Sequence, residues 1–590
     1  MRTFGMILLG LFSGIGLLTI AAFVGLLYLA FSIGDMRQPV AAAVSGKMML
    51  TLDLDNELVE GSGGPHIEGL NIRSSDTLQE AVVAIRKAKD DPRVVAIKAN
   101  LSSPKVGLAQ TQELRDAIAE FRSSGKRAYL FSETIGEGEG ALSAYYLASA
   151  FSDIWMQPSG TVGIAGIGTE GFFLKDFLTR FGVKGDFIAK GEYKSAPEMF
   201  TNTEMSQYNR EETQALLKAW YEQMVAGIAA DRKIDAGTLR ALIDEGPQMA
   251  NEALDKKLID KIAYRDEFDA MIDKETKDDM ELKRYARVPL PGAAPAKKRI
   301  AVINAVGEID RVAANESPFT DNDGIHADRM VKAIRKAADD TKVDAILLRV
   351  DSPGGSYVAS DTIWREVVRA KTEKKKPVIV SMGDTAASGG YFISMPADRI
   401  FSSPATVTGS IGVFAGKIVI GEALNKLDIK RERVVYGESA GMFSATSEFS
   451  AKDRERLGRM MDVTYADFTG KAAQGRGKSV EEIDKVARGR VWSGSDALAV
   501  GLVDELGGFM KALDYTKTKL GLAASDRVTL VEYADSRETW LGFLKYFDDS
   551  DVPDDIESFF RAAVWLKETF GQVESRTQGL QLYRAPLAVR

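Results

Sequence analysis

Residues 343–356 read VDAILLRVDSPGGS, an apolar run that passes directly into a turn rich in proline and glycine. We predict a strand at 345–350, because a short apolar run bounded by turn residues is typical of a buried strand. Working outward, helical patterns lie at 328–338 and 359–374, and a second strand is predicted at 377–381. Strands that alternate with helices predict an α/β fold with parallel strands.

The same pattern occurs earlier in the chain. Three pairs of segments match in order, with residue numbers offset by 249, 246 and 244: AIRKA at 84–88 and 333–337, YYL at 145–147 with YFI at 391–393, and LID at 258–260 with LVD at 502–504. Chance matches would not stay collinear over most of a domain. The period is too long for a solenoid, so we predict a domain duplication.

A change of composition sets the expected domain boundaries. Residues 288–298 are rich in Pro, Ala and Gly, which indicates a linker. We expect a cytoplasmic tip and membrane anchor at 1–36, an N-terminal half at 47–287, a C-terminal half at 299–532 and a tail at 533–590. The tail carries several aromatic residues, and no chemistry is assigned to it.

The N-terminus indicates a membrane protein. No charged side chain occurs anywhere in 3–34, and most of this stretch is apolar. A bilayer-spanning helix needs roughly 20 such residues, and the apolar part of a cleaved signal peptide is shorter. We therefore predict one uncleaved transmembrane signal anchor. Arg2 and the amino terminus are positive, so the positive-inside rule places residue 1 in the cytoplasm and the bulk of the chain outside.

Composition excludes several classes of function. The 590-residue chain has no cysteine, which rules out disulfides, thiolate nucleophiles and zinc-thiolate sites. Its two histidines, His66 and His326, lie in Gly-flanked stretches that are typical of loops, so a metal site is not expected. The net charge of −8 argues against a nucleic-acid partner. No cofactor is predicted.

Three turns of small residues in the C-terminal half could carry chemistry. Gly354 and Gly355 could aim backbone N–H groups at one point, as an oxyanion hole requires, although a Gly-Gly pair is more commonly a simple turn. Ser388 follows the second predicted strand, where it could be an exposed nucleophile or the N-cap of a helix. Ser410 lies in the third turn, TVTGSIGV at 406–413.

A nucleophilic serine needs a base that accepts its proton. His326 follows a long polar stretch that we expect to be a mobile loop, and it has no evident orienting partner; His66 is a weaker candidate. A lysine can replace histidine when burial lowers its pKa from about 10.4 toward neutrality. The residues considered so far do not say which lysine would serve.

Four motifs together resemble the long form of the signal peptide peptidase A family. They are DSPGGS at 351–356, AASGGYFIS at 386–394, TVTGSIGV at 406–413 and KGEYKSAPE at 190–198. The resemblance covers essentially the whole chain, and it implies two tandem domains with the fold of the Clp protease subunit and the crotonases. It also implies Ser388 as nucleophile, Lys194 as general base and Ser410 as a hydrogen-bond partner of that lysine.

On this hypothesis neutral Lys194 takes the proton of Ser388, and backbone amides of Gly354, Gly355 and Gly389 hold the oxyanion. The resemblance further implies apolar signal-peptide fragments as substrate and a homo-oligomer, which we expect to be a tetramer. It also implies a single-pass protein of the bacterial inner membrane, with residues 3–34 in the bilayer and the catalytic body on the periplasmic side.

The duplication bears on this pairing independently of the motifs. An offset of 246 pairs Ser388 with Leu142, Ser410 with Ile164 and Lys194 with Ala440. Each half lacks the groups that the other half keeps. This predicts a single active site at the junction of the halves, closed either within one chain or between two chains.

Two other functions remain possible at this point. One is an acyl-CoA enzyme of the crotonase type, because that fold also uses glycine-rich loops as oxyanion holes. The other is a non-catalytic membrane scaffold that has kept the fold. The presence of Ser388, Lys194 and Ser410 together argues against the scaffold.

Overall fold

The computed structural model describes residues 46–61, 76–137, 140–276, 278–311 and 324–533. The predicted anchor at 3–34, His66 and the tail beyond residue 533 lie outside the described residues. Of the helices in the described ranges, none is both long enough and apolar enough to cross a bilayer.

The N-terminal half alternates short strands with helices. Its strands are β1 (Met48–Asp53), β2 (Leu58–Val59), β3 (Asp76–Thr77), β4 (Val94–Asn100), β5 (Arg127–Ser132), β6 (Asp153–Met156), β7 (Thr161–Val162), β8 (Lys184–Lys190), β9 (Gln248–Met249), β10 (Lys261–Ile262) and β11 (Asp279–Glu281). Its helices are α1 (Leu78–Asp90), α2 (Leu108–Arg122), α3 (Leu142–Ala148), α4 (Lys175–Arg180), α5 (Glu198–Thr201), α6 (Gln207–Arg232), α7 (Ala236–Glu245), α8 (Ala250–Asp255), α9 (Arg265–Ile272) and α10 (Leu282–Ala286).

The C-terminal half repeats this order. Its strands are β12 (Lys298–Val306), β13 (Ile309–Asp310), β14 (Ile325–His326), β15 (Ala345–Ser352), β16 (Val378–Ala387), β17 (Arg399–Ser402), β18 (Val407–Gly409), β19 (Val413–Val419), β20 (Val491–Ser493), β21 (Glu505–Leu506) and β22 (Val528–Glu532). Its helices are α11 (Ala327–Asp339), α12 (Tyr357–Thr372), α13 (Gly389–Ser394), α14 (Gly421–Lys426), α15 (Ala451–Arg476), α16 (Val480–Val486), α17 (Gly494–Val500) and α18 (Phe509–Lys519).

Each half is built on one mainly parallel sheet. The N-terminal sheet has the order β10-β6-β5-β4-β1-β11, and six strands of the eight-stranded C-terminal sheet follow the same path, β21-β17-β16-β15-β12-β22. The other two strands extend the C-terminal sheet from the end of β16, where β18 pairs in parallel with β16 and β20 pairs antiparallel with β18. The central strand β15 is buried along almost its full length, as expected for a parallel sheet covered on both faces. The predicted α/β class with parallel strands is confirmed.

The duplication is visible in matching hydrogen bonds. The Tyr145 hydroxyl donates to the Leu258 carbonyl at 2.7 Å, and the Tyr391 hydroxyl donates to the Leu502 carbonyl at 3.0 Å. Each tyrosine lies in a short helix after a sheet strand, and the two are equivalent in the repeat. The long helices α6 and α15 also correspond, with 26 residues each.

The two halves pack together through buried polar contacts. Arg349 on β15 is fully buried, and its guanidinium pairs with Glu113 on α2 at 2.7 Å and with Glu60. The indole N–H of Trp220 on α6 donates to the carbonyl of Ala405 at 2.9 Å. Because each contact joins one half to the other, the described halves form one packed body.

A two-stranded ladder also joins the halves. Strand β8 of the N-terminal half pairs antiparallel with β19 of the C-terminal half, in a register that sets Lys190 opposite Val413 and Lys184 opposite Val419. Strand β8 is the strand that precedes Lys194, and β19 is the strand that follows Ser410. The two segments that carry candidate site residues are therefore held together by backbone hydrogen bonds.

The predicted strand at 377–381 is too short. Strand β16 continues to Ala387, because Thr385, Ala386 and Ala387 pair with the three residues of β18. The small residues before Ser388 suggested a turn, but the structure pairs them in the sheet. Ser388 consequently lies directly at the carboxyl end of a rigid strand.

Candidate active site

Ser388 occupies the turn between β16 and α13. Its backbone angles are φ 54° and ψ −116°, a conformation that residues other than glycine rarely adopt. Its N–H donates to the Gly409 carbonyl at 2.9 Å, and its carbonyl accepts from the Phe392 N–H at 2.9 Å. The hydroxyl makes no helix-capping hydrogen bond. Ser388 is the N-cap residue of α13 by position, but its half-buried side chain does not cap the helix, so the hydroxyl is available for other contacts.

The side chain of Lys194 ends at this hydroxyl. Lys194 lies in the loop between β8 and α5 and is 9% exposed. Its Nζ lies 3.2 Å from Ser388 Oγ, 2.9 Å from Ser410 Oγ and 3.1 Å from the Ser410 carbonyl oxygen. The structure thus brings together, within one chain, the three side chains that the motifs single out.

These three contacts match the hydrogen-bonding capacity of a neutral amine. A neutral amine has two N–H donors and one lone pair. The two N–H groups can donate to Ser410 Oγ and to the Ser410 carbonyl, which leaves the lone pair for the Ser388 hydroxyl. Burial lowers the pKa of Lys194 to about 8, and the negative charge of Glu212 opposes this shift. A large fraction of the lysine is therefore neutral in mildly alkaline solution.

Tight backbone packing holds the Lys194 loop in place. The Tyr193 N–H donates to the Arg488 carbonyl at 3.0 Å. Gly489 packs directly on Lys194: a Cβ at this glycine would lie 2.5 Å from the Lys194 nitrogen and 2.7 Å from its Cβ. Gly489 also has φ +85°. A side chain at position 489 would therefore displace the lysine from the serine.

A buried carboxylate lies behind the lysine. Glu212 on α6 accepts a hydrogen bond from the Ser195 hydroxyl at 2.9 Å and another from the Val491 N–H at 3.1 Å. Its side chain is 3% exposed. Burial raises the pKa of Glu212 to about 7, and its two hydrogen bonds, Arg490 and Lys194 counteract the shift. Glu212 ties the residue after the lysine to strand β20.

The glycine loop after β15 covers the other side of Ser388. Gly354 has φ +101°, and a Cβ there would lie 2.6 Å from the Gly389 nitrogen and 2.8 Å from Ser388 Cβ. The Gly354 N–H donates to Ser352 Oγ at 3.2 Å. In contrast, the N–H groups of Gly355 and Gly389 have no acceptor among the described residues. Two of the three predicted oxyanion amides are thus free to bind a ligand oxygen.

Ser410 also occupies a strained turn. Its φ is 49°, and its N–H donates to the Arg490 carbonyl at 2.7 Å. This conformation directs both its hydroxyl and its carbonyl oxygen toward Lys194 Nζ. One residue therefore supplies two of the three partners of the amine.

The repeat counterparts of the three site residues have no nucleophilic or basic side chains. Leu142 and Ile164 are apolar side chains buried in the N-terminal core. Ala440, the counterpart of Lys194, has no group that could accept a proton. The described residues therefore contain this constellation once, at the junction of the two halves.

The expectation that His326 lies in a loop is wrong. His326 ends β14 and is 7% exposed, because β14 pairs with β13 and leads directly into α11. Lys194 is the residue whose side chain makes a hydrogen bond with Ser388 Oγ. No hydrogen bond joins His326 to Ser388 within the part of the chain that the structure describes.

Sequence reasoning missed two residues of this site. Glu212 sits in a long helix among several other acidic residues, so only the tertiary structure distinguishes it from them. Gly489 stands between two arginines in a loop. The flanking pattern Arg488-Gly489-Arg490 was a visible signal of a turn, but not of contact with a lysine in the other half of the chain.

The chain is similar in sequence to known proteases. The sequence pattern of peptidase family S49 matches residues 131–278 and 370–523, one segment in each half. Protease 4 of Salmonella typhi is 34% identical over 498 residues, which cover 80% of this chain and 78% of that protein. The chloroplastic serine protease SPPA of Arabidopsis thaliana is 31% identical over 457 residues, 76% of this chain and 66% of that protein. In the solved structure of a ClpP1 mutant from Listeria monocytogenes, the match is 19% identical, covers 36% of this chain and 94% of that chain, and has a TM-score of 0.24.

Proposed function

The chain belongs to peptidase family S49 and is a serine protease, and from this premise we propose that Ser388 and Lys194 form its catalytic dyad. The observation that carries the proposal is the 3.2 Å contact between Lys194 Nζ and Ser388 Oγ. Membership of this family sets aside the acyl-CoA and scaffold alternatives. Ser410 orients the amine through two contacts, as the third residue of a catalytic triad does.

In the first half-reaction, the lone pair of neutral Lys194 accepts the Ser388 proton while Oγ forms a bond to the peptide carbonyl carbon. The resulting ammonium then gives this proton to the leaving amine as the C–N bond breaks. An ester of Ser388 remains. In the second half-reaction, Lys194 takes a proton from water, whose oxygen attacks the ester, and the proton returns to Ser388 as the acid product leaves.

The N–H groups of Gly355 and Gly389 serve as the oxyanion hole. Both lie beside Ser388 and lack a protein acceptor among the described residues. Gly354 contributes differently: its N–H is already directed at Ser352, and its lack of a side chain allows the loop to approach Ser388. Donors fixed in advance stabilise the charge that develops on the carbonyl oxygen.

We extend the proposal to substrate and location. The motif resemblance and the uncharged stretch at 3–34 support apolar peptides, in particular cleaved signal peptides, as substrates at the periplasmic face of the bacterial inner membrane. Residues 3–34 then anchor the chain in the bilayer beside such fragments. The fold of each half is that of the Clp and crotonase proteins, and the active form is a homo-oligomer, a tetramer by the same resemblance.

Replacing either dyad residue tests the mechanism. Lys194→Ala and Ser388→Ala should each lower kcat/KM on an apolar fluorogenic peptide by about 1,000-fold or more, as for other dyads and triads. The matched control is Lys190→Ala, which removes an exposed lysine at the end of β8 that pairs with Asp462. The control should keep its activity, and all three variants should unfold cooperatively. Undiminished turnover in Lys194→Ala would refute the dyad.

A further inference from the structure

Arg490 lies directly before β20, and its backbone holds the serine that orients the lysine. Its carbonyl accepts a hydrogen bond from the Ser410 N–H at 2.7 Å. The next residue, Val491, pairs with Gly409 in the antiparallel ladder between β20 and β18. Ser410 has a φ of 49°, so these backbone contacts help to hold a strained turn. The direction of both Ser410 oxygens toward the amine depends on this turn.

The side chain of Arg490 reaches the residue directly before Lys194. Its guanidinium carbon lies 4.9 Å from the centre of the Tyr193 ring and 4.5 Å from the centre of the Trp492 ring. Its Nη1 donates to Glu211 at 2.8 Å and to the Tyr193 hydroxyl at 3.3 Å. A planar guanidinium can lie against aromatic rings and donate hydrogen bonds at its edge at the same time. The side chain therefore fixes the position of Tyr193.

Arg490 thereby links two parts of the site that come from different halves of the chain. Ser410 lies in the C-terminal half, whereas Tyr193 and Lys194 lie in the N-terminal half. The 2.9 Å contact between Lys194 Nζ and Ser410 Oγ requires the two segments to keep their relative position. The Arg490 side chain is only 20% exposed, and contacts of a shielded cation are stronger than those of an exposed one.

The duplication indicates that this arginine accompanies the site and is not required by the fold. Helices α8 and α17 begin at matching positions of the repeat, with an offset of 244. The same offset pairs Arg490 with Gly246, which has no side chain. The N-terminal half thus forms the equivalent strand and helix without a guanidinium, and its counterpart of Ser410 is apolar.

We infer that Arg490 is a positioning residue of the dyad, with its carbonyl on Ser410 and its guanidinium on Tyr193. Together these contacts keep Lys194 Nζ within hydrogen-bond reach of Ser388 Oγ. Among the described residues, no hydrogen bond joins the Arg490 side chain to either member of the dyad, so it acts through their neighbours. The inference rests on the proposed function, in which Lys194 is the general base.

Arg490→Met keeps a long apolar side chain and removes the charge and the N–H donors. In the full-length chain it should lower kcat by about 10- to 100-fold, because a small displacement of a catalytic group is costly. KM for an apolar fluorogenic peptide should stay nearly unchanged, since the lysine and not the bound peptide is displaced. Initial rates over a range of peptide concentrations separate the two constants. A raised KM at constant kcat would show that Arg490 binds substrate, and would overturn the inference.

Arg86 on α1 provides a matched control. Its side chain is 25% exposed, and it also pairs across the two halves, with Asp514 at 2.7 Å. Its hydrogen bonds go to Asp514 and Glu120, and neither acid belongs to the site. Arg86→Met should lower the midpoint of urea unfolding and keep kcat. An equal loss of kcat in Arg86→Met and Arg490→Met would show that general destabilisation is the cause.

A variant without the base tests whether Arg490 acts through it. In a chain that already carries Lys194→Ala, adding Arg490→Met should not lower the residual turnover further, because no base remains to be positioned. A further loss as large as in the unaltered chain would mean that Arg490 acts elsewhere. Full turnover in Lys194→Ala alone would refute the dyad, whereas full kcat in Arg490→Met alone would refute only the positioning role.

The contact with Tyr193 can be tested separately. Tyr193→Leu removes the ring and should lower kcat as Arg490→Met does. The double variant should lose little more than either single variant, because both changes break one contact. Arg490→Lys keeps the charge but has no planar group to lie against the ring, so it should recover only a small part of kcat. Additive losses in the double variant, or full recovery by lysine, would contradict positioning through the guanidinium.

Discussion

At the scale of single residues, the site depends on groups held in states that they do not adopt in an unfolded chain. Ser388 and Ser410 both have positive φ, and Lys194 is buried without a carboxylate in hydrogen-bond contact. Such states cost folding free energy and persist because the surrounding structure imposes them. In these states a serine hydroxyl lies beside a partly neutral amine.

The pH dependence of activity should reflect Lys194. Only the neutral amine accepts a proton, so kcat/KM should rise with pH through a midpoint near pH 8, the pKa of this lysine. Glu212→Gln removes a negative charge that favours the ammonium form, so its midpoint should move to lower pH. Initial rates from about pH 6 to about pH 10 measure both midpoints.

The neighbouring Glu211 provides the control for that experiment. It lies on the same helix, its side chain is about half-exposed, and it pairs with Arg490 at 2.8 Å. Glu211→Gln should leave the midpoint unchanged. Equal midpoints for Glu212→Gln and the unaltered chain would show that the charge of Glu212 does not act on Lys194.

The strained backbone at Ser388 should be measurable in stability. Ser388→Gly removes the Cβ that disfavours φ 54°, whereas Ser388→Ala keeps it. Although both variants are inactive, the glycine variant should have a free energy of unfolding about 1 kcal/mol higher than the alanine variant. Urea denaturation compares them. The matched control is Ser360, inside helix α12. Here Ser360→Gly should have a lower free energy of unfolding than Ser360→Ala, because glycine inside a helix is less favourable than alanine by about 1 kcal/mol.

At the scale of secondary-structure elements, a carboxylate of the C-terminal half accepts hydrogen bonds from the first backbone N–H groups of helix α2 in the N-terminal half. Asp384 on β16 accepts hydrogen bonds from the Ala109 N–H at 2.8 Å and the Gln110 N–H at 3.3 Å, both in the first turn of α2. Gly107 permits the approach, since a Cβ there would lie 2.0 Å from the carboxylate. The strand that leads to Ser388 is thereby fixed to the N-terminal half.

The buried charge of Asp384 should lower the stability of the folded state as pH rises. Burial, together with the charges of Asp351 and Glu60, raises the pKa of Asp384 to about 7. The folded state then binds more protons than the unfolded state between about pH 4 and pH 7, so stability falls as pH rises through that window. Asp384→Asn keeps an acceptor oxygen and carries no charge. It should be more stable than the unaltered chain at pH 8 by about 1 kcal/mol, allowing for solvent screening.

Urea denaturation at two pH values checks this prediction. The advantage of Asp384→Asn should shrink toward pH 4, where the aspartate is protonated in the folded state and about half protonated in the unfolded state. Asp384→Ala is the companion variant: it loses the acceptor for the α2 amides and should be destabilised at both pH values. A constant difference between Asp384→Asn and the unaltered chain would contradict the assigned titration.

At the scale of the whole molecule, one buried cation holds the two halves. Arg349 is fully buried, and its Nε donates to Glu60 at 3.0 Å while its pair with Glu113 measures 2.7 Å. Both acidic side chains are 3% exposed. Burial acts to lower the pKa of Arg349, but the two carboxylates hold it above its ordinary value. Because the active site lies at the same junction, this cluster keeps Lys194 and Ser388 in register.

Arg349→Leu should lower the free energy of unfolding by about 3–5 kcal/mol, because it leaves two carboxylates buried without a positive charge beside them. Adding Glu60→Gln and Glu113→Gln removes those charges and should recover much of the loss. Thermal and urea unfolding compare the single and triple variants with the unaltered chain. If the triple variant is no more stable than Arg349→Leu, unpaired carboxylates are not the cause of the loss.

Much of the fold follows from local patterns. The apolar run at 345–350, the helical patterns around it and the repeat at offsets of 244 to 249 predicted parallel α/β halves, and the structure has them. The motifs placed Ser388, Lys194 and Ser410 on the candidate site, and the structure brings these three side chains together. Periodicity and turn residues depend on neighbouring positions, and a repeat is found by comparing two stretches of the chain, so all three can be recognised from the sequence alone.

The sequence by itself determined the elements, their duplication and the identity of the candidate groups. Only the tertiary structure decided that β16 runs on to Ala387, that His326 is buried, and that Glu212 and Gly489 support the lysine. It also decided that the dyad contact forms within one chain. Desolvation, close approach and strand partnership arise where segments far apart in the chain pack together, and no local pattern encodes those distances.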